Sequence, residues 1–220
     1  CEKNSDFETA EDYYKCALCK YEDIQFRKGV ADIYRDLGDL SMKQSNLSIA
    51  ANYYDESIAI YEDISAQVAL ANVLAARGDV SYRMSETSDA NDFYTRALNE
   101  FKSIKDEYRQ GIVLKKLGDL IIGINQENVD LEKASDYYVQ AAKIFNSLRS
   151  KAKQADVLNS LGQIHFKLRN VEQADEDFSR AIELAEQADD EDALWIIRVA
   201  ATRVQLLQKK YVNALMTMVE

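Results

Sequence analysis

The sequence predicts an all-α chain, a row of antiparallel helical hairpins that repeats every forty residues. Three observations carry this prediction. First, the 220 residues contain no proline and only seven glycines, so few positions force a helix to stop and little material exists for tight β-turns. Second, five segments share an alanine, an aromatic four residues on and a small residue three further. They are Ala10/Tyr14/Ala17, Ala50/Tyr54/Ser57, Ala90/Tyr94/Ala97, Ala134/Tyr138/Ala141 and Ala174/Phe178/Ala181. Third, another ladder runs between them: Leu37-Gly38-Asp39, Arg77-Gly78-Asp79, Leu117-Gly118-Asp119 and Leu161-Gly162-Gln163. The alanines step by 40, 40, 44 and 40 and the glycines by 40, 40 and 44. Two ladders that share one irregularity mark a true internal repeat.

The elements follow in order along a single array, 1–220. Residues 1–26 hold the first alanine series without a glycine series before it, which predicts the second helix of a partial repeat. Complete units are expected at 27–66, 67–106, 107–150 and 151–189, with a further partial repeat at 190–220. Within each unit the i, i+4, i+7 spacing places the alanine, aromatic and small residue on one helical face. A mid-helix glycine costs about 1 kcal/mol relative to alanine, so its recurrence predicts that two helices touch where a Cβ has no room. Short connectors are expected at Lys43 to Asn46 and Ser85 to Ser88. The unit 107–150 carries four extra residues near 123–130, about one helical turn or a longer loop, without the ligand pattern of a calcium loop. Extrapolating the two ladders by forty lands on Thr202 and Ala214. The last unit is therefore expected to stop part-way, with apolar Leu215, Met216, Met218 and Val219 where a terminal repeat is normally polar. The expectation is a segment of a longer protein.

Leu-Gly, then an alanine twelve residues later, then Tyr/Phe and Ala/Ser, resembles the tetratricopeptide repeat. Tyr53-Tyr54, Phe93-Tyr94 and Tyr137-Tyr138 match the paired aromatics of its second helix. The family's usual unit is about 34 residues. The extra length here falls in the interval from the last small residue to the next glycine (17 to 38, 57 to 78, 97 to 118, 141 to 162). That makes the chain similar to long repeats such as those of kinesin light chain, LGN and MalT-type regulators. The resemblance implies a right-handed superhelical α-solenoid whose first helices line a concave groove. By register, the groove residues would be Asp32, Arg35, Asp39 and Lys43; Asn72, Asp79, Tyr82 and Arg83; Ile112, Lys115, Asp119 and Ile122; and Asp156, Asn159, Gln163 and Phe166. The family's clamp for a C-terminal carboxylate is not reproduced, since Asp119 stands where an asparagine would follow Lys115. Asp39, Asp79 and Asp119 form an acidic ladder that either suits Lys or Arg side chains of a ligand or simply faces water.

Composition narrows the function classes. A net charge of −11 and a pI near 4.7 argue against direct contact with nucleic acid, and no run approaches the length of a membrane span. There is no phosphate-binding glycine loop and no His-Glu-x-x-His. His165, the single histidine, aligns with Ser41, Ser81 and Ile121 and reads as a mostly buried packing residue. Cys16 and Cys19 lie in a helical stretch and read as small apolar fillers, not as a redox pair. No cofactor or metal is expected, and no enzymatic activity. The expected function is a protein-interaction scaffold or adaptor that holds a peptide or protein segment, and basic residues on that segment would suit the acidic ladder. The alternative is the regulatory or sensor arm of a larger signalling protein that binds an effector or controls oligomerisation. A cytoplasmic location is expected; the alternative is a periplasmic or surface lipoprotein, if Cys1 is a lipidated N-terminus.

Overall fold

The computed structural model describes the backbone of residues 2–123 and 130–219, and side chains at 7, 9–123 and 130–206. The middle of the four-residue insertion, Cys1 and the side chains of Leu215, Met216, Met218 and Val219 lie outside the described residues. Among the described residues the chain forms ten helices. They are α1 (Glu2–Asp23), α2 (Arg27–Lys43), α3 (Leu47–Asp63), α4 (Gln67–Arg83), α5 (Thr87–Ser103), α6 (Glu107–Gly123), α7 (Leu131–Ser147), α8 (Lys151–Lys167), α9 (Val171–Gln187) and α10 (Glu191–Val219). Helices α2 to α9 are each 17 residues long.

One turn design serves between helices and accounts for the scarcity of glycine and proline. After α3 the chain passes through Ile64, Ser65 and Ala66, with Ser65 in the left-handed region at φ 54°. The amide of Ala66 donates to the Tyr61 carbonyl at 2.9 Å and that of Ser65 to the Glu62 carbonyl at 3.1 Å. The Ala66 carbonyl then accepts from the Leu70 amide at 2.9 Å, opening the next helix. The turn thus satisfies the end groups of both helices it joins. Gln25, Ser45, Ser85, Lys105, Arg149, Arg169 and Asp189 repeat the positive φ. The connector expected at Ser85 to Ser88 is shorter than that: Thr87 already opens α5. Helix α10 runs 29 residues and passes Lys209, forty residues after the Arg169 turn, without turning.

The described chain divides into two compact units, residues 1–109 and 110–220. In the first, α2 pairs with α3, α4 with α5, α3 lies against α4, and α1 covers α2. In the second, α8 packs on α7 and α9, and α10 packs on α9 and α8. The repeated small and aromatic residues form the cores: Ala50, Tyr54, Ala90, Tyr94, Ala97, Ala134, Tyr138, Ala141, Ala174, Phe178 and Ala181 are all buried.

The recurring glycines have the packing role expected of them. A Cβ on Gly38 would sit 2.5 Å from a ring carbon of Tyr54, and one on Gly78 would sit 2.6 Å from the ring of Tyr94. Gly118 meets Tyr138 at 2.8 Å and Gly162 meets Phe178 at 2.9 Å. In every complete hairpin the aromatic of the second helix therefore packs against the bare backbone of the first. A further aromatic register, Tyr61, Phe101 and Phe145, is buried as well.

One expectation does not hold. Cys16 and Cys19 are both exposed free thiols, not fillers, because α1 is covered by α2 on one side and those two side chains project away from that contact. His165 is mostly buried, as its register implied, with its side chain 19% exposed, and its Nδ1 lies 2.6 Å from Asp177 Oδ2 on α9. Its neighbours in register, Ser41 and Ser81, are buried; the larger imidazole reaches past the interface to a carboxylate. Burial pushes the Asp177 carboxyl above its usual range, with His165 opposing the shift.

Candidate ligand-binding face

Successive first helices lie beside one another within each unit. In the first unit the Arg83 guanidinium of α4 sits 4.0 Å from the Met42 sulfur of α2. In the second, the Lys115 ammonium of α6 is 3.1 Å from Asp119 on its own helix and 3.5 Å from Asp156 on α8. The residues that the register argument selected lie on these first helices, α2, α4, α6 and α8. An α-helix holds its side chains in fixed rows, so exposed residues of these helices are positioned by the packing behind them.

In the first unit, Asp32 and Arg35 are drawn into one cluster. Tyr61 donates its hydroxyl to Asp32 Oδ1 at 2.6 Å, Arg35 reaches the same oxygen at 3.1 Å, and Lys28 reaches Oδ2 at 3.0 Å. Partial burial works against the charge of Asp32, but the Tyr61 and Lys28 hydrogen bonds and the nearby cations outweigh it and hold the carboxyl below its usual range. Asn72 turns its amide back to the Val68 carbonyl at 2.8 Å. Lys43 and Arg83 are exposed, and Tyr82 is 42% exposed.

The second unit brings Lys115, Asp119 and Asp156 together. Burial disfavours the Lys115 charge, yet Asp119 and Asp156 more than compensate and hold its pKa above the usual lysine value. Ile112 and Ile122 are half-buried and Gln163 is exposed. Phe166 is partly spent on the core, packed against the cluster that joins α8, α9 and α10. Asn159 is 8% exposed, and its Oδ1 receives no hydrogen bond from a described residue.

The acidic ladder belongs to the hairpins. Tyr54 donates to Asp39 at 2.5 Å, Tyr94 to Asp79 at 2.7 Å and Tyr138 to Asp119 at 2.6 Å. Each carboxylate is neither idle in water nor wholly available to a ligand, since one oxygen already accepts from the aromatic that covers the preceding glycine. Sequence reasoning missed this, although a signal was present. Where the ladder reads Gly162-Gln163, the aromatic is Phe178, which carries no hydroxyl. The same holds one register over: Tyr61 faces Asp32, while Phe101 and Phe145 accompany Asn72 and Ile112.

Sequence reasoning also missed the residues of α10 that complete this face. A cleft of about 220 Å³ lies between α8 and α10, lined by Ala152, Lys153, Asp156, Asn159, Asp190, Ala193, Ile196 and Ile197. Among the described residues no group of three or more His, Cys, Asp or Glu side chains is placed to hold a metal. No helix there is long and apolar enough to cross a membrane.

The tetratricopeptide repeat profile matches residues 155–188, which span the Gly162–Phe178 contact. No curated protein sequence matches the chain. Solved structures are similar in fold. The apo form of RapI superposes with a TM-score of 0.78 at 15% identity, covering 96% of this chain and 79% of that one. A signal-transduction ATPase with a tetratricopeptide repeat sensor, PH0952 from Pyrococcus horikoshii, gives 0.73 at 20% identity, covering 87% and 30%. The Rap conjugation gene regulator of plasmid pLS20, in complex with the Phr* peptide, gives 0.64 at 18% identity, covering 89% and 53%. The fold class is thus all-α, a tetratricopeptide-like solenoid of antiparallel hairpins.

Proposed function

We propose that the chain is a non-catalytic binding module that holds an extended peptide or protein segment against its first helices. The observation that carries this reading is the side-by-side placement of those helices, seen in the Arg83–Met42 and Lys115–Asp156 contacts. It leaves polar groups and apolar anchors such as Tyr82 and Ile122 on one face of each unit. Mixed apolar anchors and hydrogen-bonding groups on a rigid scaffold are what peptide recognition requires. The likeness to a Rap regulator solved with a peptide supports the same reading. The forty-residue period keeps the likeness to the long repeats of kinesin light chain, LGN and MalT-type regulators. The exposed free thiols of Cys16 and Cys19 suit the reducing cytoplasm.

The test is fluorescence anisotropy with labelled, end-capped hexapeptide pools, each fixed at one position. Binding in the micromolar range, about −8 kcal/mol, is expected. Tyr82→Ala or Ile122→Ala should weaken the pools that bind in its own unit tenfold or more, with an unchanged far-ultraviolet circular dichroism spectrum. Pools that do not bind, or bind both variants as well as the parent, would overturn the reading.

A second reading, the regulatory arm of a larger signalling protein, is favoured by the similarity to the repeat sensor of a signal-transduction ATPase. In that case peptide binding would alter the activity of an attached domain, which a coupled assay on the full reading frame would detect.

A further inference from the structure

We propose that the cleft between α8 and α10 is a side-chain pocket that takes the ammonium or guanidinium end of a ligand's Lys or Arg. This deepens the peptide-binding reading and rests on it for the source of that side chain.

The argument begins from one step of the repeat. Lys115 on α6 spans to Asp156 on α8 at 3.5 Å, closing the gap between two successive first helices. The next step places Asn159 at the register of Lys115 and Ile196 at the register of Asp156. A cation facing a carboxylate becomes an amide facing an isoleucine, and the bridge is lost. What is left is the cleft, with Asn159 in its wall.

The lining has the chemistry of an acceptor site. Asn159 is more than nine-tenths buried, and its side-chain oxygen has no donor among the described residues. A buried acceptor of this kind is costly to leave unpaired. An amide oxygen wants an N–H. Asp156 and Asp190 supply two carboxylates beside it; Asp190 accepts the Ala193 amide at 3.0 Å through one oxygen, and Asp156 shares Lys115. Lys153 also lines the cleft and is exposed. Ile196 (53% exposed), Ala193 and Ala152 make an apolar wall that suits the methylene stem of a long basic side chain. The α10 N-terminus adds Asp189, Glu191 and Asp192 nearby, so the field around the mouth is negative. A carboxylate ligand would meet that field and would offer the Asn159 oxygen no donor.

Two measurements test this on the whole chain. The first uses n-butylguanidinium and n-butylammonium as probes, followed by the side-chain amide of Asn159 and the backbone amide of Ala193 in ¹H–¹⁵N spectra. Saturable shifts confined to the α8–α10 cleft are expected. No shift with butyrate is expected, nor any shift in Asn159→Leu with either cation. Absence of shifts with the cations, or equal shifts with butyrate, would overturn the pocket whether or not peptides bind. The second compares hexapeptide pools fixed as Arg, Lys, norleucine or Glu. Arg and Lys should bind at least tenfold better than the others, and Asp190→Asn or Asn159→Leu should abolish that preference while leaving residual binding. Equal binding of all pools would overturn the pocket and leave the peptide reading standing. Asn159→Leu should also raise the urea midpoint, because it removes an unpaired buried oxygen. A lower midpoint would make Asn159 a structural group and would overturn the assignment.

Discussion

The Tyr138 hydroxyl donates to Asp119 Oδ1 at 2.6 Å, and the ring that carries this hydroxyl lies against the bare backbone of Gly118. Tyr94 with Asp79 and Tyr54 with Asp39 repeat the arrangement. The Gly-Asp pair and the distant tyrosine are therefore one device: the glycine admits the ring, and the aspartate takes its hydroxyl. It fastens the two helices of a hairpin at mid-length.

Tyr138→Phe should lower stability by about 1 kcal/mol, the usual worth of one hydrogen bond, read as a reduced urea midpoint with an unchanged slope. Asp119→Asn in the same background should cost less than it does alone, and a double-mutant cycle should show that coupling. The reverse experiment is available in the last hairpin. Phe178→Tyr alone should destabilise, because Gln163 offers the new hydroxyl no carboxylate, and adding Gln163→Asp should recover the loss.

Gly38→Ala tests the steric half of the device. Helix propensity favours alanine by about 1 kcal/mol, but the new Cβ would meet the Tyr54 ring at 2.5 Å, and overpacking costs about 1–3 kcal/mol. A net loss of stability is expected in chemical denaturation. The same substitution made with Tyr54→Leu should cost less than it does in the parent.

Arg77 stands where its sister repeats carry Leu37, Leu117 and Leu161. It is buried; its Nε donates to Asp55 at 2.9 Å, its Nη1 to Ser81 at 2.6 Å, and its guanidinium lies 4.7 Å from the Phe93 ring centre. Asp55 is half exposed, so this pair sets little attraction against the cost of burying the guanidinium, and such an arginine is readily replaced by a hydrocarbon of similar volume. Arg77→Leu should leave stability unchanged or raise it by about 1 kcal/mol, whereas Arg77→Ala should lower it by about 2 kcal/mol or more through the cavity it leaves. Thermal melts of the two variants distinguish these outcomes.

Tyrosine ionisation gives a pH test. Burial first, and the hydrogen bond to a carboxylate after it, push the Tyr54 and Tyr61 phenols far above the usual value. Tyr138 is raised as well, by burial and then by the charge of Asp119. A group whose folded pKa is raised contributes stability that is fully present below its unfolded pKa, about 10 for tyrosine, and that is lost as pH rises above it. Stability should therefore be steady up to about pH 10 and fall beyond it. Ultraviolet titration should show these three phenols ionising only as the helical signal collapses. Their early ionisation in a still-folded chain would refute the assignment.

The repeat, the packing role of the glycines and the identity of the first helices were all legible in residue order. These depend on periodicity and on contact between side chains at fixed helical spacing. The turns were only half legible, because a left-handed residue here can be Gln, Ser, Lys, Arg or Asp, and composition does not mark it. The exposure of Cys16 and Cys19 could not be read from a helical pattern, which shows where a face lies but not whether another helix covers it.

What the sequence by itself determined is the architecture: forty-residue hairpins, each with an aromatic laid on a glycine. Only the tertiary structure decided which polar groups on the first helices are already spoken for. It assigned Asp39, Asp79 and Asp119 to tyrosines, joined Lys115 to Asp156, and left the Asn159 oxygen without a donor among the described residues, in a cleft shared with Asp190 and Ile196. The physical reason is range and precision. A helix follows from neighbours three and four residues away, whereas a hydrogen bond requires two atoms, here often fifteen or more residues apart, to meet within about 3 Å.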